Sequence, residues 1–463
     1  MSESIEGADF RGKRVTVAGL GLFGGGAAVA RWLVSQGARV TVTDLRTENE
    51  LAMALRTLEG IKVELVLGQH RMSDFEDTDL IIANPAVPQN SSYLVAARAA
   101  GVAVTSEIAI FMARTPARLA LVTGTQGKSS TCQFLATLCS GTGSSVHLGG
   151  NIGTPLIEQL SSMRPDDIVV LELSSYQLEA LPPVPRASAQ VVAITNIGAD
   201  HLERHNNIAA YAQAKARILE LLAPGGRALL PAGHPQLHAA CPAHSTALPH
   251  QAGAGPGLSI EDGHFLCNGE ILGRVAELSV PGSFQQANAL VALGVAQALG
   301  LPVEHLAGRV AALNAPPHRL QNLGEYAGRH VVDNGVSTTP ESTCAALESV
   351  PHGATLLVGG QVKRGLDYWA LARMAAERDT RTILFGAATP VLAPLFDEAG
   401  ANTRKAADLA EATEAAFEWA PSGTTILFSP ACSSFDAWPN FRARALAFRD
   451  ALPVDDSCEG ATT

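Results

Sequence analysis

Short runs of apolar, β-branched residues recur along this chain, each followed by a longer stretch with apolar side chains every three or four positions. From Arg14 the order RVTVAGLGLFGGGAAVARWLVSQGARVTVTDL reads as strand, glycine turn, helix, strand, with Asp44 closing the second strand. Strands are predicted at Val63–Leu67 and Leu80–Ala83, with a Pro-containing loop at 84–88 and a helix near Tyr93–Ala100. A second series starts with LALVTGTQGKSSTCQFLATL (119–138) and continues through IVVLELSS (168–175), VVAITNIGADHL (191–202), a helical run over Ile208–Leu222, strand-like pieces near Leu258–Leu266 and a helix around Ala287–Leu299. A third series has strands at His330–Asp333, Thr355–Val358, Thr380–Phe385 and Thr425–Phe428. Strands that alternate with helices predict parallel sheets whose loops gather at one edge. The fold class is therefore α/β in three domains: a Rossmann-like domain over 1–112, a central P-loop domain with a parallel sheet over 113–315, and a second Rossmann-like domain over 316–463, which opens at Pro316-Pro317. The small, polar tail from Val454 is expected to fray.

Composition narrows the partners. The 33 Lys and Arg against 44 Asp and Glu leave a net charge of -11 with no basic cluster, which argues against a nucleic-acid surface. Seven cysteines form no CxxC pair, and no His stands at zinc-finger spacing, so neither a disulfide framework nor a structural metal is expected. No window approaches the roughly 18 consecutive apolar residues of a membrane span, and the N-terminus lacks an apolar signal core. The expectation is a cytoplasmic protein without nucleic-acid or membrane partners.

Two glycine loops carry the candidate chemistry. Gly19-Leu20-Gly21-Leu22-Phe23-Gly24 follows a strand and precedes Asp44, which admits a dinucleotide site or a Rossmann-like domain holding another nucleotide. The second loop, Gly124-Thr125-Gln126-Gly127-Lys128-Ser129-Ser130, is more specific. Backbone N–H groups at a helix start cradle phosphate oxygens, Lys128 adds a positive charge, and Ser129 offers a hydroxyl to Mg²⁺. Only two residues separate its first Gly from the Gly-Lys pair, against four in the general P-loop pattern. Glu172 falls at a strand end, the edge where such sheets present ligands. His201 and His205 stand four apart, which suits either a shared metal, one His beside a phosphate-bound Mg²⁺, or surface positions. Lys215 lies in an amphipathic helix, where a lysine ordinarily reaches for water. Arg319 follows the Pro pair, where a surface ion pair or a phosphate contact are both open.

Taken in order, the short loop, LELSS, DHLERH, an AK in the next helix and an HR opening the last α/β segment resemble the Mur ligases, closest to the branch that adds D-glutamate to UDP-N-acetylmuramoyl-L-alanine in peptidoglycan synthesis. The resemblance spans the chain, and the family's GTxGK[ST] spelling accounts for the short loop. It implies ATP and two Mg²⁺ ions, with Gly124, Thr125, Gly127, Lys128, Ser129, Ser130, Asn288, Arg319 and Asp333 at the nucleotide. Ser129, Glu172, His201 and a carbamylated Lys215 would hold metal, and Lys128, Glu172, His201, Lys215 and Arg319 would be the catalytic set. Arg46, Asn151, Ser174 and Gln177 would meet the UDP-sugar, making the first domain a UDP-binding one. Lys363, Ser434 and Phe441 would meet glutamate in the last. A monomer is expected. Three departures stand out: Phe284-Gln285 precede Asn288 where the family has HN, Asn84-Pro85-Ala86 replaces an SPG loop, and Gly335 stands where a Lys is expected. L-glutamate as the substrate, or a related Mur or folate-type amino-acid ligase, stays open at this point.

Overall fold

The computed structural model describes residues 8–21, 24–152, 155–182, 188–198, 202–205, 207–363 and 365–453. They form three sheets. The first has strands β1 (Arg14–Ala18), β2 (Arg39–Asp44), β3 (Val63–Leu67), β4 (Leu80–Ala83) and β5 (Ala103–Thr105), all parallel in the order 3-2-1-4-5. Val15, Val17, Val40 and Val42 bury one face of this sheet, while Ala18, Ile81 and Ala83 pack on the other. The order reverses between β1 and β4, and the glycine turn, Asp44 and Asn84 all gather at that crevice.

The second sheet has nine strands: β6 (Arg118–Thr123), β7 (Val146–Gly150), β8 (Ile168–Glu172), β9 (Ala189–Ile194), β10 (Leu222–Pro231), β11 (Thr246–His250), β12 (Leu258–Glu261), β13 (His264–Cys267) and β14 (Glu270–Arg274). Their order is 14-13-12-11-10-9-6-8-7, parallel from β7 to β12 and antiparallel through the β12–β13–β14 meander. β8 is buried at every position, and β6 at all but its first, because helices cover both faces. The expected helix over 208–222 is shorter than its apolar stripe suggests. It runs Ile208–Ala216, tightens into a 3₁₀ turn at Arg217–Leu221, and Leu222 already starts β10.

The third sheet contains β15 (Gln321–Tyr326), β16 (Arg329–Asp333), β17 (Thr355–Gly359), β18 (Arg381–Phe385), β19 (Asn402–Ala406) and β20 (Thr425–Ala431), in the order 15-16-20-17-18-19. Only β15 is antiparallel to its neighbour. Successive residues go to opposite faces: Leu356, Val358 and Leu427 join one core, Leu357, Ile426 and Phe428 the other.

By contacts the chain divides into two compact units. One comprises residues 1–277 with 287–310 and contains the first two sheets; the other comprises 278–286 with 311–463 and contains the third. No helix among the described residues is long and apolar enough to cross a membrane.

Candidate functional site

β6 carries the chain to Gly124 at the C-terminal edge of the second sheet, between β9 and β8, and the helix Lys128–Cys139 leaves from that point. The turn needs glycine twice, with φ at 150° for Gly124 and 79° for Gly127. A Cβ on Gly124 would collide with Thr195 Oγ1, and one on Gly127 with Asn288 Oδ1. The end of β9 splints the loop. Thr125 N–H donates to the Asn196 carbonyl at 3.0 Å, Gln126 N–H to Asn196 Oδ1 at 2.9 Å, and Thr195 Oγ1 and Asn196 Nδ2 donate to the Gln126 carbonyl at 2.5 and 3.2 Å. The loop is thus preorganised by side chains that the sequence motif does not contain. The Thr-Asn pair directly after the apolar run VVAI was the available signal.

Lys128 Nζ folds over this loop and donates to the carbonyls of Gly124 at 3.0 Å and Thr125 at 2.8 Å. In the first turn of the helix, the buried hydroxyls of Ser130 and Thr131 have no hydrogen-bond partner. A glycine cradle with no room for side chains, two orphaned buried hydroxyls and a cation at a helix N-terminus fit a phosphate chain. Asn288, buried on the helix Ser283–Ala298, packs directly against the loop at Gly127.

Glu172 ends β8 and is 1 % exposed, beside the loop. Its Oε2 accepts from Ser129 Oγ at 2.7 Å, and its Oε1 from Asn151 Nδ2 at 3.0 Å. Two oxygen donors, Ser129 and Glu172, therefore meet where a phosphate-bound Mg²⁺ would need hard ligands, and they fit such an ion. The same carboxylate, together with burial as the larger effect, pushes the Cys132 thiol well up. Glu172 thus also fixes the side chain of Asn151, the residue expected at the UDP-sugar. Ser174 and Gln177 form a capping box for the helix Ser175–Glu179: Ser174 Oγ accepts from Gln177 N–H at 3.2 Å, and Gln177 Oε1 from Ser174 N–H at 2.9 Å.

Lys215 does not reach for water. It is 1 % exposed, with Nζ 4.5 Å from the centre of the Tyr211 ring, itself buried. Lys215 is therefore not a solvated surface lysine, which the amphipathic pattern could not reveal. His205 is a core residue: its Nε2 lies 3.1 Å from Ser175 Oγ and its ring 5.3 Å from that of Tyr211. A shared metal for the two histidines gains nothing from this placement, and His201 lies outside the described residues.

At the crevice of the first sheet, Asp44 is buried and fully engaged. Its Oδ2 accepts from Gly21 N–H at 3.1 Å and its Oδ1 from Arg46 N–H at 2.9 Å, with the Arg46 guanidinium 3.6 Å away. Asn84 packs on the glycine turn so closely that a Cβ at Gly19 would lie 2.8 Å from Asn84 Cβ. The acid that a dinucleotide site would use for its ribose here holds the glycine turn to the end of β2.

In the other unit, Arg319 sits between two residues with left-handed backbones, His318 at φ 63° and Leu320 at φ 50°. Asp333, expected at the ribose, ends β16 and is wholly buried. His318 Nδ1 lies 2.7 Å from its Oδ2, Arg449 Nε donates to the same oxygen at 2.9 Å, and Gly335 N–H donates to Oδ1 at 2.9 Å. Asp333 thus ties His318, Arg449 and Gly335 together beside Arg319. Lys363 Nζ donates to Thr338 Oγ1 at 3.0 Å, Ser434 is buried beyond β20, and Phe441 opens the helix Phe441–Asp450 partly exposed.

A phosphate loop with an adjoining hydroxyl and carboxylate at the C-terminal edge of a parallel sheet defines a phosphate-loop nucleotide-binding protein. Comparison with known proteins takes this further. Residues 122–296 match the model of the Mur ligase middle domain, and 13–106 that of the Mur ligase MurD-like N-terminal domain. The UDP-N-acetylmuramoylalanine–D-glutamate ligase of Roseiflexus sp. is 35% identical over 95% of this chain and 98% of its own length. The chain belongs to the Mur ligase family. Among solved structures, the Thermotoga maritima UDP-N-acetylmuramate-alanine ligase MurC aligns over 95% of this chain and 98% of its own at TM-score 0.61 and 18% identity. The ADP complex of MurF ligase from the same organism aligns over 97% and 98% at TM-score 0.57 and 17% identity. Both carry the same fold.

Proposed function

We propose that this protein joins glutamate to the carboxylate of UDP-N-acetylmuramoyl-L-alanine with cleavage of ATP to ADP and phosphate. What carries the reading is the Ser129–Glu172 pair against the Lys128 loop, in a chain 35% identical over nearly its full length to a D-glutamate ligase. The substrate's carboxylate is phosphorylated first, and the glutamate amine then attacks the acyl phosphate and expels phosphate. Since the reacting groups belong to the substrates, the protein contributes position and charge. Lys128, the loop amides and Arg319 balance charge on the transferring phosphoryl group. Ser129, Glu172, His201 and Lys215, carbamylated, are assigned to two Mg²⁺ ions. Bound there, Mg²⁺ would neutralise phosphate charge and orient its oxygens.

The UDP-sugar is assigned to residues 1–112 with Arg46, Asn151, Ser174 and Gln177; ATP with Asn288 to 113–315; and glutamate to 316–463 with Lys363, Ser434 and Phe441. The protein is taken as a cytoplasmic monomer. L-glutamate is kept as a second reading because Gly335, where the family resemblance expects Lys, has no space for a side chain: a Cβ there would sit 2.6 Å from Ala445 Cβ. The test is phosphate release from ATP with Mg²⁺ and UDP-N-acetylmuramoyl-L-alanine, with D- or L-glutamate supplied in parallel. Release with D-glutamate alone is expected. Release with L-glutamate alone would move the substrate to the other enantiomer, and none with either would overturn the reading.

A further inference from the structure

Arg444 is the largest fully buried side chain among the described residues, on the helix Phe441–Asp450 that packs under the third sheet. Its Nη1 donates to the carbonyls of Gly359 at 3.2 Å, Cys432 at 2.9 Å and Ser433 at 3.2 Å, and its Nη2 to those of Gly335 at 3.4 Å and Ser337 at 3.2 Å. These carbonyls belong to the chain segments leaving β17, β20 and β16, three strands side by side in the sheet. One guanidinium therefore ties together the C-terminal edge that carries Thr338, Lys363 and Ser434. Burial pushes its pKa down to about 10, which leaves it charged at neutral pH.

A buried charge is costly before its hydrogen bonds offset the loss of water. An apolar residue would fill that space at less cost, so the charge is not explained by packing. Two structural facts suggest its use. First, in a trans peptide the C=O and the following N–H point in opposite directions, so drawing the carbonyls of Ser337 and Ser433 onto Arg444 turns the N–H groups of Thr338 and Ser434 the other way. Amides turned away from a buried cation, at a strand-end edge, favour an anion such as a carboxylate. Second, Gly335 lets the helix come close: a side chain there would meet Ala445 Cβ at 2.6 Å and Phe428 Cε1 at 2.9 Å. The charge that position 335 cannot supply from within the loop is supplied from beneath it.

We propose that Arg444 is a positioning residue for the acidic amino-acid substrate, holding the loops after β16, β17 and β20 so that their amides and Lys363 face its carboxylates. The amino-acid assignment rests on the ligase reading above; the bracing of the loops does not. Arg444→Lys keeps the charge but cannot span five carbonyls. In that variant the KM for glutamate should rise at least tenfold while the KM for ATP stays within twofold, and hydrogen exchange should quicken at 335–338, 359–363 and 432–434. A glutamate KM within twofold of the parent's overturns the proposal, as does unchanged exchange. Should Arg444→Lys fail to fold, Thr338→Val removes only the hydroxyl that holds Lys363 Nζ. It should raise the glutamate KM several-fold, and an unchanged KM again overturns the proposal. A parent enzyme that releases no phosphate with either glutamate sinks the ligase reading, and the exchange arm still decides whether Arg444 braces the three loops.

Discussion

Glu107 opens the helix Glu107–Arg114 behind its N-cap Ser106, and burial pushes its carboxyl up to about 7. The folded-state pKa is above the ordinary carboxylate value, so the fold prefers the protonated form. This contribution to stability is complete below about pH 4.5 and is lost as pH rises through 7. Glu107→Gln should therefore melt with the parent at pH 4 and above it at pH 8.5, by an amount approaching ~3 kcal/mol. Thermal melts at the two pH values check this, and a variant that gains nothing at pH 8.5 refutes it. Gly127 offers a second residue-scale test. Gly127→Ala adds a Cβ that strikes Asn288 Oδ1 and strains a left-handed backbone, a cost of ~1–3 kcal/mol from the strain alone. Nucleotide binding should fall well over tenfold, measured by titration calorimetry with ADP.

Among the elements, the phosphate-loop helix is held at both ends by other segments. Its N-terminus has the β9 splint, and its last carbonyls are capped from beyond residue 300. His305 Nε2 lies 2.8 Å from the Leu138 carbonyl, and Arg309 Nε donates to that of Thr137 at 3.0 Å. A cation at a helix C-terminus also offsets the helix dipole. Arg309→Ala should cost ~1–3 kcal/mol through the orphaned carbonyl, with little change in ADP affinity. Equilibrium urea unfolding and calorimetry together separate these, and a matching loss in both would place Arg309 in the binding site instead. Legibility also divides at this scale. The strands Val63–Leu67 and Leu80–Ala83 and the phosphate loop show in the chain because their apolar period and glycine spacing are local. Val146–Gly150, reading VHLGG, and the edge strand Asn402–Ala406, reading NTRKA, do not show. Neither has an apolar alternation, and each is a strand only because a neighbour pairs with it. The same holds for site residues. Lys128 and Ser129 follow from spelling, whereas the burial of Lys215 under Tyr211, the enclosure of Asp333 by Arg449 and the five carbonyls of Arg444 depend on partners distant in sequence.

On the scale of the whole molecule, the nucleotide assignment falls in both compact units. Lys128, Ser129, Glu172 and Asn288 belong to the one with the first two sheets, and Arg319 to the one with the third. A ligand bound only by the native form stabilises by RT ln(1 + [L]/Kd), ~2.7 kcal/mol at a hundredfold excess over Kd. With ATP and Mg²⁺ at such an excess, hydrogen exchange should slow at 124–131, where the loop amides take the phosphates. If Arg319 meets the phosphates as assigned, 316–321 should slow as well, although that segment lies in the other unit and its amides have no nucleotide loop of their own. The control is Lys128→Ala, which should abolish both responses together, because the second depends on nucleotide held at the first. Protection confined to 124–131 would remove Arg319 from the phosphate. Protection at 316–321 that survives Lys128→Ala would place a nucleotide in the second unit independently, against the whole assignment.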